Sequence, residues 1–313
     1  MAAHRDSGGR EGPMMPPDAA AASSWDAAAA GWNQHTAMIH DWLHTVTQTM
    51  LDDAHIAAGA RVLDIAAGAG DQTLDIALRV GPKGHVLATD VSPNILALAQ
   101  KNLQVAGLSQ VSIRVADAQS LDLAGADFDS AICRLGLMFC GDPLEALTQI
   151  RAALRPGGRF SALVFGLPEN NPCLTILFKT ARQHAGLPLM LSRPDDGDVV
   201  AGPLLSLARP GLLESLLREA GLIDVSVRSV SAPFHAPSAA HYVDFLRSSA
   251  APLIDVLASL SDAAQQAAWD DMTQKLQVFA TPHGWVGPNE LLHCVAVAPE
   301  SNASASASVV STA

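Results

Sequence analysis

Two aspartates bracket a glycine turn in the stretch Arg61 to Thr73, RVLDIAAGAGDQT. Asp64 sits in the apolar run that enters the turn, and Asp71 stands where the next helix should begin. Gly68 and Gly70 have no Cβ, so the backbone can turn sharply and come close to a ligand. A helix start offers unpaired N–H groups, which ordinarily favour an anion. A carboxylate at that position repels one. Two acids expected to face the ligand suit instead an ammonium or sulfonium group. The spacing also departs from the dinucleotide pattern G-x-G-x-x-G, since Thr73 occupies the third glycine position. Farther along, Asp90 ends the apolar run His85-Val86-Leu87-Ala88-Thr89, where a carboxylate can accept both ribose hydroxyls of an adenosine.

The histidines offer other chemistry. His40 and His44 in H-D-W-L-H share one helix face, which echoes the H-E-x-x-H zinc motif. Asp41 replaces the glutamate base, and no third ligand follows at a familiar spacing, so the sequence implies no metal centre. His35, His40 and His241 are candidates for a general base by position alone.

The run D-I-A-A-G-A-G-D resembles the first motif of class I S-adenosylmethionine (SAM)-dependent methyltransferases. It is similar to the ubiquinone/menaquinone-biosynthesis C-methyltransferase type, in which the first glycine of the motif becomes alanine, here Ala66, and an aspartate follows, here Asp71. The resemblance extends from about Trp25 to Gly166. It includes Trp25-Asp26 through Trp32, which is similar to a segment that packs over the SAM pocket in many small-molecule methyltransferases. Arg134 to Phe139 resembles F-G-L-R-N of the quinone-type enzymes, with the arginine displaced to a position before the glycine. The resemblance implies SAM as cofactor. The implied contacts come from Trp32, Asp64, Ala66, Gly68, Gly70, Asp71, Thr73, Asp90, Val91, Asp117, Ala118 and Arg134, with Asp117 meeting the adenine amino group. The implied reaction is methyl transfer to a small apolar or aromatic acceptor, such as a quinol, a phenol or another secondary metabolite. A SAM-binding protein without catalysis and an NAD-dependent oxidoreductase are the alternatives; Thr73 and Asp71 disfavour the last.

These residues must be positioned by alternating strands and helices. The pattern predicts strands at Arg61–Ala67, His85–Asp90, Val111–Ala116, Ser130–Cys133, Phe160–Phe165, Ile223–Val230 and Leu291–Ala298. Ser92 followed by Pro93 marks a helix start, and Gly107 its end. The predicted class is α/β: a doubly wound, mainly parallel seven-stranded sheet, with the order 3-2-1-4-5-7-6 taken from the resemblance and a helical cap added. Ligand should lie at the carboxyl ends of the first four strands. Residues 1–22 read as a disordered terminus and 301–313 as a disordered tail around one SAM-binding domain over 23–300. Its cap segments are about 23–55, 168–208 and 236–284. The last includes two amphipathic helices, Ser238–Leu257 and Asp262–Phe279, which bring His241, Tyr242 and Phe245.

Composition bounds the partners. The net charge of −12 argues against nucleic acid and anionic membranes, both of which attract basic surfaces. No apolar run is long enough for a membrane span, and the N-terminus lacks the apolar core of a signal peptide. The four cysteines, Cys133, Cys140, Cys173 and Cys294, form no C-x-x-C and read as reduced thiols in a cytoplasmic protein. The expected partner is a small-molecule methyl acceptor, and a homodimer is compatible with the sequence.

Overall fold

The structure is a computed structural model that describes residues 19–188 and 202–300. Two helices lead the chain, α1 (Ala19–Gln34) and α2 (Thr36–Asp53). Helix α1 starts inside the stretch assigned to a disordered terminus; residues 1–18, like the tail 301–313, lie outside the described residues. Then follow β1 (Arg61–Ile65), α3 (Asp71–Val80), β2 (His85–Asp90), α4 (Pro93–Val105), β3 (Val111–Val115), β4 (Phe128–Arg134), α5 (Pro143–Ala153) and β5 (Leu154–Phe165). The second half contains α6 (Pro172–His184), α7 (Leu212–Glu219), β6 (Ile223–Ser231), β7 (Phe234–Ala236), α8 (Ala239–Ser249), α9 (Ala251–Leu257) and α10 (Asp262–Leu276). It ends with β8 (Ala280–Thr281), β9 (Gly284–Gly287) and β10 (Glu290–Val297).

Seven strands make one sheet in the order β3-β2-β1-β4-β5-β10-β6, so the expected doubly wound order holds with β10 as its seventh strand. The pairs among β1 to β5 are parallel, while β10 runs antiparallel to both β5 and β6. Central β1 is buried at Val62 to Ile65, as a strand covered on both faces must be. The step Arg155 to Gly158 is absorbed into β5. There the register shifts between Phe128, which faces Leu154, and Ser130, which faces Arg159.

Local chemistry explains the helices that aim the site. Ser92 accepts the N–H of Ile95 at 3.1 Å, and Pro93 starts α4 where no N–H is required. Helix α2 buries Ile39, Leu43, Val46, Met50 and Leu51 at helical spacing, and each such side chain contributes roughly 1.5–3 kcal/mol when fully buried.

The cap differs from its predicted form. The single helix expected over Ser238–Leu257 breaks at Ala250, whose φ/ψ of −86/74° leaves the helical region, and Pro252 lies in the first turn of α9. A small antiparallel sheet, β7-β9-β8, also joins the cap. Its strands have only two to four residues, too short for an alternating pattern to show in sequence. At the crossing of α1 and α8, a Cβ on Gly31 would stand 1.9 Å from the carbonyl oxygen of Ser248, so only glycine allows that approach. Among the described residues no helix is long and apolar enough to cross a membrane.

Candidate active site

The turn after β1 is built from three left-handed residues, Ala66 (φ 54°), Gly68 (φ 57°) and Gly70 (φ 88°). Alanine in this region is strained, by roughly 1–2 kcal/mol. Its methyl also excludes a side chain opposite: a Cβ on Gly136 would lie 2.3 Å from the Ala66 Cβ and 3.1 Å from Cys133 Sγ. Leu135, beside Gly136, is left-handed too (φ 58°), so the ends of β1 and β4 meet as two strained backbones.

Three residues expected to contact the cofactor face elsewhere. Asp64 is fully buried and accepts hydrogen bonds from Thr73 Oγ1 at 2.6 Å and from Gln72 Nε2, so it ties β1 to α3 and does not line the cavity. Burial raises its pKa to about 7, against the opposing pull of those two hydrogen bonds. Thr73 is committed to Asp64. Gly70 faces α4: a Cβ there would meet the Ala99 Cβ at 3.1 Å. For Asp64 the cause is plain: its side chain points from the buried strand into the layer formed by α3, where Gln72 and Thr73 hold it.

Asp71 is also not the bare charge expected. It pairs with Arg134 at 2.5 Å, and Arg134 further donates to Thr47 Oγ1 at 2.9 Å. Both partners line the cavity with their side chains less than a tenth exposed. Two free carboxylates therefore do not face a cationic ligand here: Asp64 is turned away from the cavity and Asp71 carries its own counter-ion.

The adenosine-type cradle lies at the end of β2. Asp90 Oδ2 accepts the N–H of Gly68 at 3.0 Å, and Oδ1 accepts the N–H of Ser92 at 3.0 Å. Burial raises the Asp90 pKa, and the backbone donors from Ser92, Gly68 and Val91 pull the other way. The carboxylate retains lone-pair capacity for a hydroxyl. Asp117 Oδ1 accepts the N–H of Gln119 at 2.9 Å, and Val91, Asp117 and Ala118 line the same cavity. Above them, Asp26 of α1 accepts from Ser92 Oγ and from the N–H of Asn94, at 3.1 Å for the latter. The cap helix is thereby latched onto the start of α4. The sequence showed Asp26 only as part of a resemblance, with no indication of this partner.

This cradle opens into an aromatic chamber, and the whole forms one cavity of ≈ 200 Å³. Trp32 covers the turn: a Cβ on Gly68 would approach its Nε1 to 3.2 Å. Trp25 meets Trp32 edge-on at 6.1 Å and Phe139 at 5.1 Å. On the far side Phe245 lies 6.3 Å from Trp32 and stacks on Phe234 at 5.6 Å, while Trp42 packs on Phe234 at 5.1 Å. Tyr242 and Asn289 complete the lining, together with Cys133 and Cys140. Asn289 Oδ1 is buried and has no hydrogen-bond partner among the described residues. Sequence reading missed Asn289, Trp42 and Gln72, because nothing in their spacing ties them to the glycine turn.

None of the three candidate bases lines the cavity. His35 packs edge-on against Phe245 at 5.3 Å. His40 points from α2 toward Asp75, with 3.8 Å between Nε2 and Oδ1. His241 is exposed at the start of α8, and Ser238 Oγ lies 2.9 Å from its Nδ1. Phe245, one turn along α8 from His241, is buried, so the expected shared pocket face does not form.

A seven-stranded sheet of this order, with a carboxylate cradle at the second strand and a glycine turn at the first, defines a class I SAM-dependent methyltransferase fold. Residues 56–184 match the family model described as a methyltransferase domain, and the chain is similar to class I SAM-dependent methyltransferases of the ubiquinone/menaquinone-biosynthesis type. It is 29% identical over 165 residues to the ubiquinone/menaquinone biosynthesis C-methyltransferase of Hahella chejuensis, a match covering 52% of this chain and 66% of that protein. It is 36% identical over 117 residues to the Pseudomonas aeruginosa protein of the same name, covering 37% of this chain and 46% of the relative. The chain thus spans about half to two thirds of the length of these relatives. In fold it is similar to the YcgJ protein of Bacillus subtilis, with a TM-score of 0.54 at 18% identity, covering 82% of this chain and 99% of that one. The [4+2]-cyclase SpnF is similar in fold too, with a TM-score of 0.53 at 17% identity, covering 88% of this chain and 96% of that one.

Proposed function

We propose that this chain binds SAM at the strand ends and transfers its methyl group to a small apolar or aromatic acceptor held in the aromatic chamber. The observation that carries this reading is the continuity of the cavity from the Asp90–Gly68 cradle to the chamber of Trp32, Trp42, Phe234 and Phe245. The residues present fit the cofactor. Asp90 keeps acceptor capacity for a ribose hydroxyl, and Gly68 and Ala66 offer backbone without bulk. The relatives named for ubiquinone and menaquinone C-methylation favour a quinol- or phenol-like acceptor.

SAM when bound supplies an activated methyl group. The chain's share is alignment and exclusion of water. The aromatic walls can hold a flat acceptor, and cap helices α1, α2 and α8 close over it. Asn289 Oδ1 awaits a donor; leaving such a buried acceptor unpaired costs roughly 1–3 kcal/mol. An acceptor O–H or N–H would satisfy it and fix the ring's orientation. Among the described residues no histidine lines the cavity, which favours acceptors that ionise readily, such as phenols and quinols.

Label transfer from methyl-labelled SAM to a panel of phenols, quinols and amines tests the proposal. Transfer to a phenol or quinol is expected, with acceptor kcat/KM falling about tenfold in Asn289→Leu while SAM affinity holds. Calorimetry should show binding of SAM and its demethylated product but not of NAD. Tight NAD binding without SAM binding would overturn the reading.

A further inference from the structure

We infer that His40, His44 and Asp75 form a binding site for one divalent transition-metal ion, on the outer face where α2 meets α3. In sequence the two histidines lacked a third ligand. The fold provides it from a different helix. One ligand atom from each of the three side chains lies within 4.8 Å of the others, and this is the one such group of three among the described residues. His40 Nε2 is 3.8 Å from Asp75 Oδ1, and the two imidazole rings are 4.9 Å apart. A metal at about 2.0–2.2 Å from each donor would require these atoms to close to roughly 3.3 Å, a small rotation for side chains that are not locked in a core.

The surroundings favour ligation over a chance cluster. Asp75 is held from behind, since Gln48 Nε2 donates to its other oxygen, Oδ2, at 3.2 Å. Gln48 is oriented in turn by Arg79, which donates to its Oε1 at 2.7 Å. This leaves Oδ1 turned to the histidines. Two imidazoles and one carboxylate suit zinc, cobalt, nickel or copper. They do not suit magnesium or calcium, which take mainly oxygen ligands. The group lies outside the cavity lining, so the ion's part is to clamp helices together. Trp42, on the face of α2 opposite the histidines, lines the cavity, so a clamp at this point stiffens one wall of the acceptor chamber.

The test uses the untagged full chain stripped with chelator. Calorimetry with zinc should show one equivalent bound, and magnesium should show none. Zinc should raise the melting temperature, because ligand bound only by the folded state stabilises it. His44→Ala and Asp75→Asn should each weaken zinc binding tenfold or more and abolish the thermal shift, whereas Gln48→Ala should weaken it less. His44 is exposed, so its replacement leaves the fold intact and isolates the ligand effect. Absence of saturable zinc binding overturns the site, as does zinc binding of equal strength in the wild type, His44→Ala and Asp75→Asn. Neither the cofactor nor the acceptor enters these measurements.

Discussion

The cavity has two walls built on different principles. The lower wall, at the ends of β1, β2 and β4, is made by backbone and by residues close together in the chain. The Gly68 N–H meets Asp90 across one βαβ unit, and Ser92 meets Asp90 two residues on. The upper wall is made by α1, α2, α8 and the small sheet, whose contacts span most of the chain. Trp42 donates from Nε1 to the Ala232 carbonyl at 2.8 Å, and Trp32 packs against Phe245. The cofactor site is thus a local property of the sheet topology, while the acceptor site is a property of the whole fold. Substitutions in the two walls should therefore separate cofactor affinity from acceptor turnover.

The largest separation should come from Asp90→Ala. It removes an acidic acceptor placed for a ribose hydroxyl, and a hydrogen bond to a charged group is worth about 1.5–3 kcal/mol. SAM affinity measured by calorimetry should drop about 100-fold, with circular dichroism unchanged. Near-normal affinity in a folded variant removes Asp90 from the cradle.

Gly31→Ala attacks the upper wall from outside the cavity. Its methyl would meet the Ser248 backbone, so α1 and α8 must move apart, at a cost of roughly 1–3 kcal/mol. The melting temperature should fall, and acceptor KM should rise more than the SAM dissociation constant. If SAM affinity instead suffers most, the two walls are coupled and the comparison fails.

Phe245→Leu should lower acceptor kcat/KM about tenfold with SAM affinity nearly constant. It should also lower the melting temperature, because Phe245 is at once a cavity wall and a core side chain that stacks on Phe234. An effect on stability with intact kinetics would make this wall structural only.

The smallest effect is a pH dependence inside the lower wall. The folded pKa of Asp64, about 7, exceeds its unfolded value, so the fold binds this proton more tightly and loses that stabilisation as pH rises from about 4 to about 7. Denaturant unfolding should show the wild type losing stability relative to Asp64→Asn between pH 5 and pH 8. A difference that does not vary with pH would mean that Asp64 titrates normally.

How far the site was legible follows the same division. Asp90 and Gly68 were readable, because a strand's end and a glycine turn are marked by neighbouring residues. Asp64 was visible but misdirected: position in the chain locates a strand residue, whereas its facing depends on which layer covers it, here Gln72 and Thr73 of α3. Arg134 was noticed for a resemblance, yet its pairing with Asp71 joins the ends of two strands that only the sheet order makes neighbours. The base candidates His35, His40 and His241 were chosen by position, and packing turned each of them away from the cavity.

By itself, the sequence determined the alternation of strands and helices, the glycine turn, the capped start of α4 and the acid that closes β2. These depend on periodicity and backbone freedom within a few residues, which short-range sterics and hydrogen bonding decide. Tertiary structure alone decided which acids face the cavity, which cation answers Asp71, what Asn289 lacks, and that Asp75 comes to stand beside two histidines of another helix. Those facts depend on the close packing of elements distant in sequence, where a single crossing such as Gly31 against Ser248 sets which side chains meet.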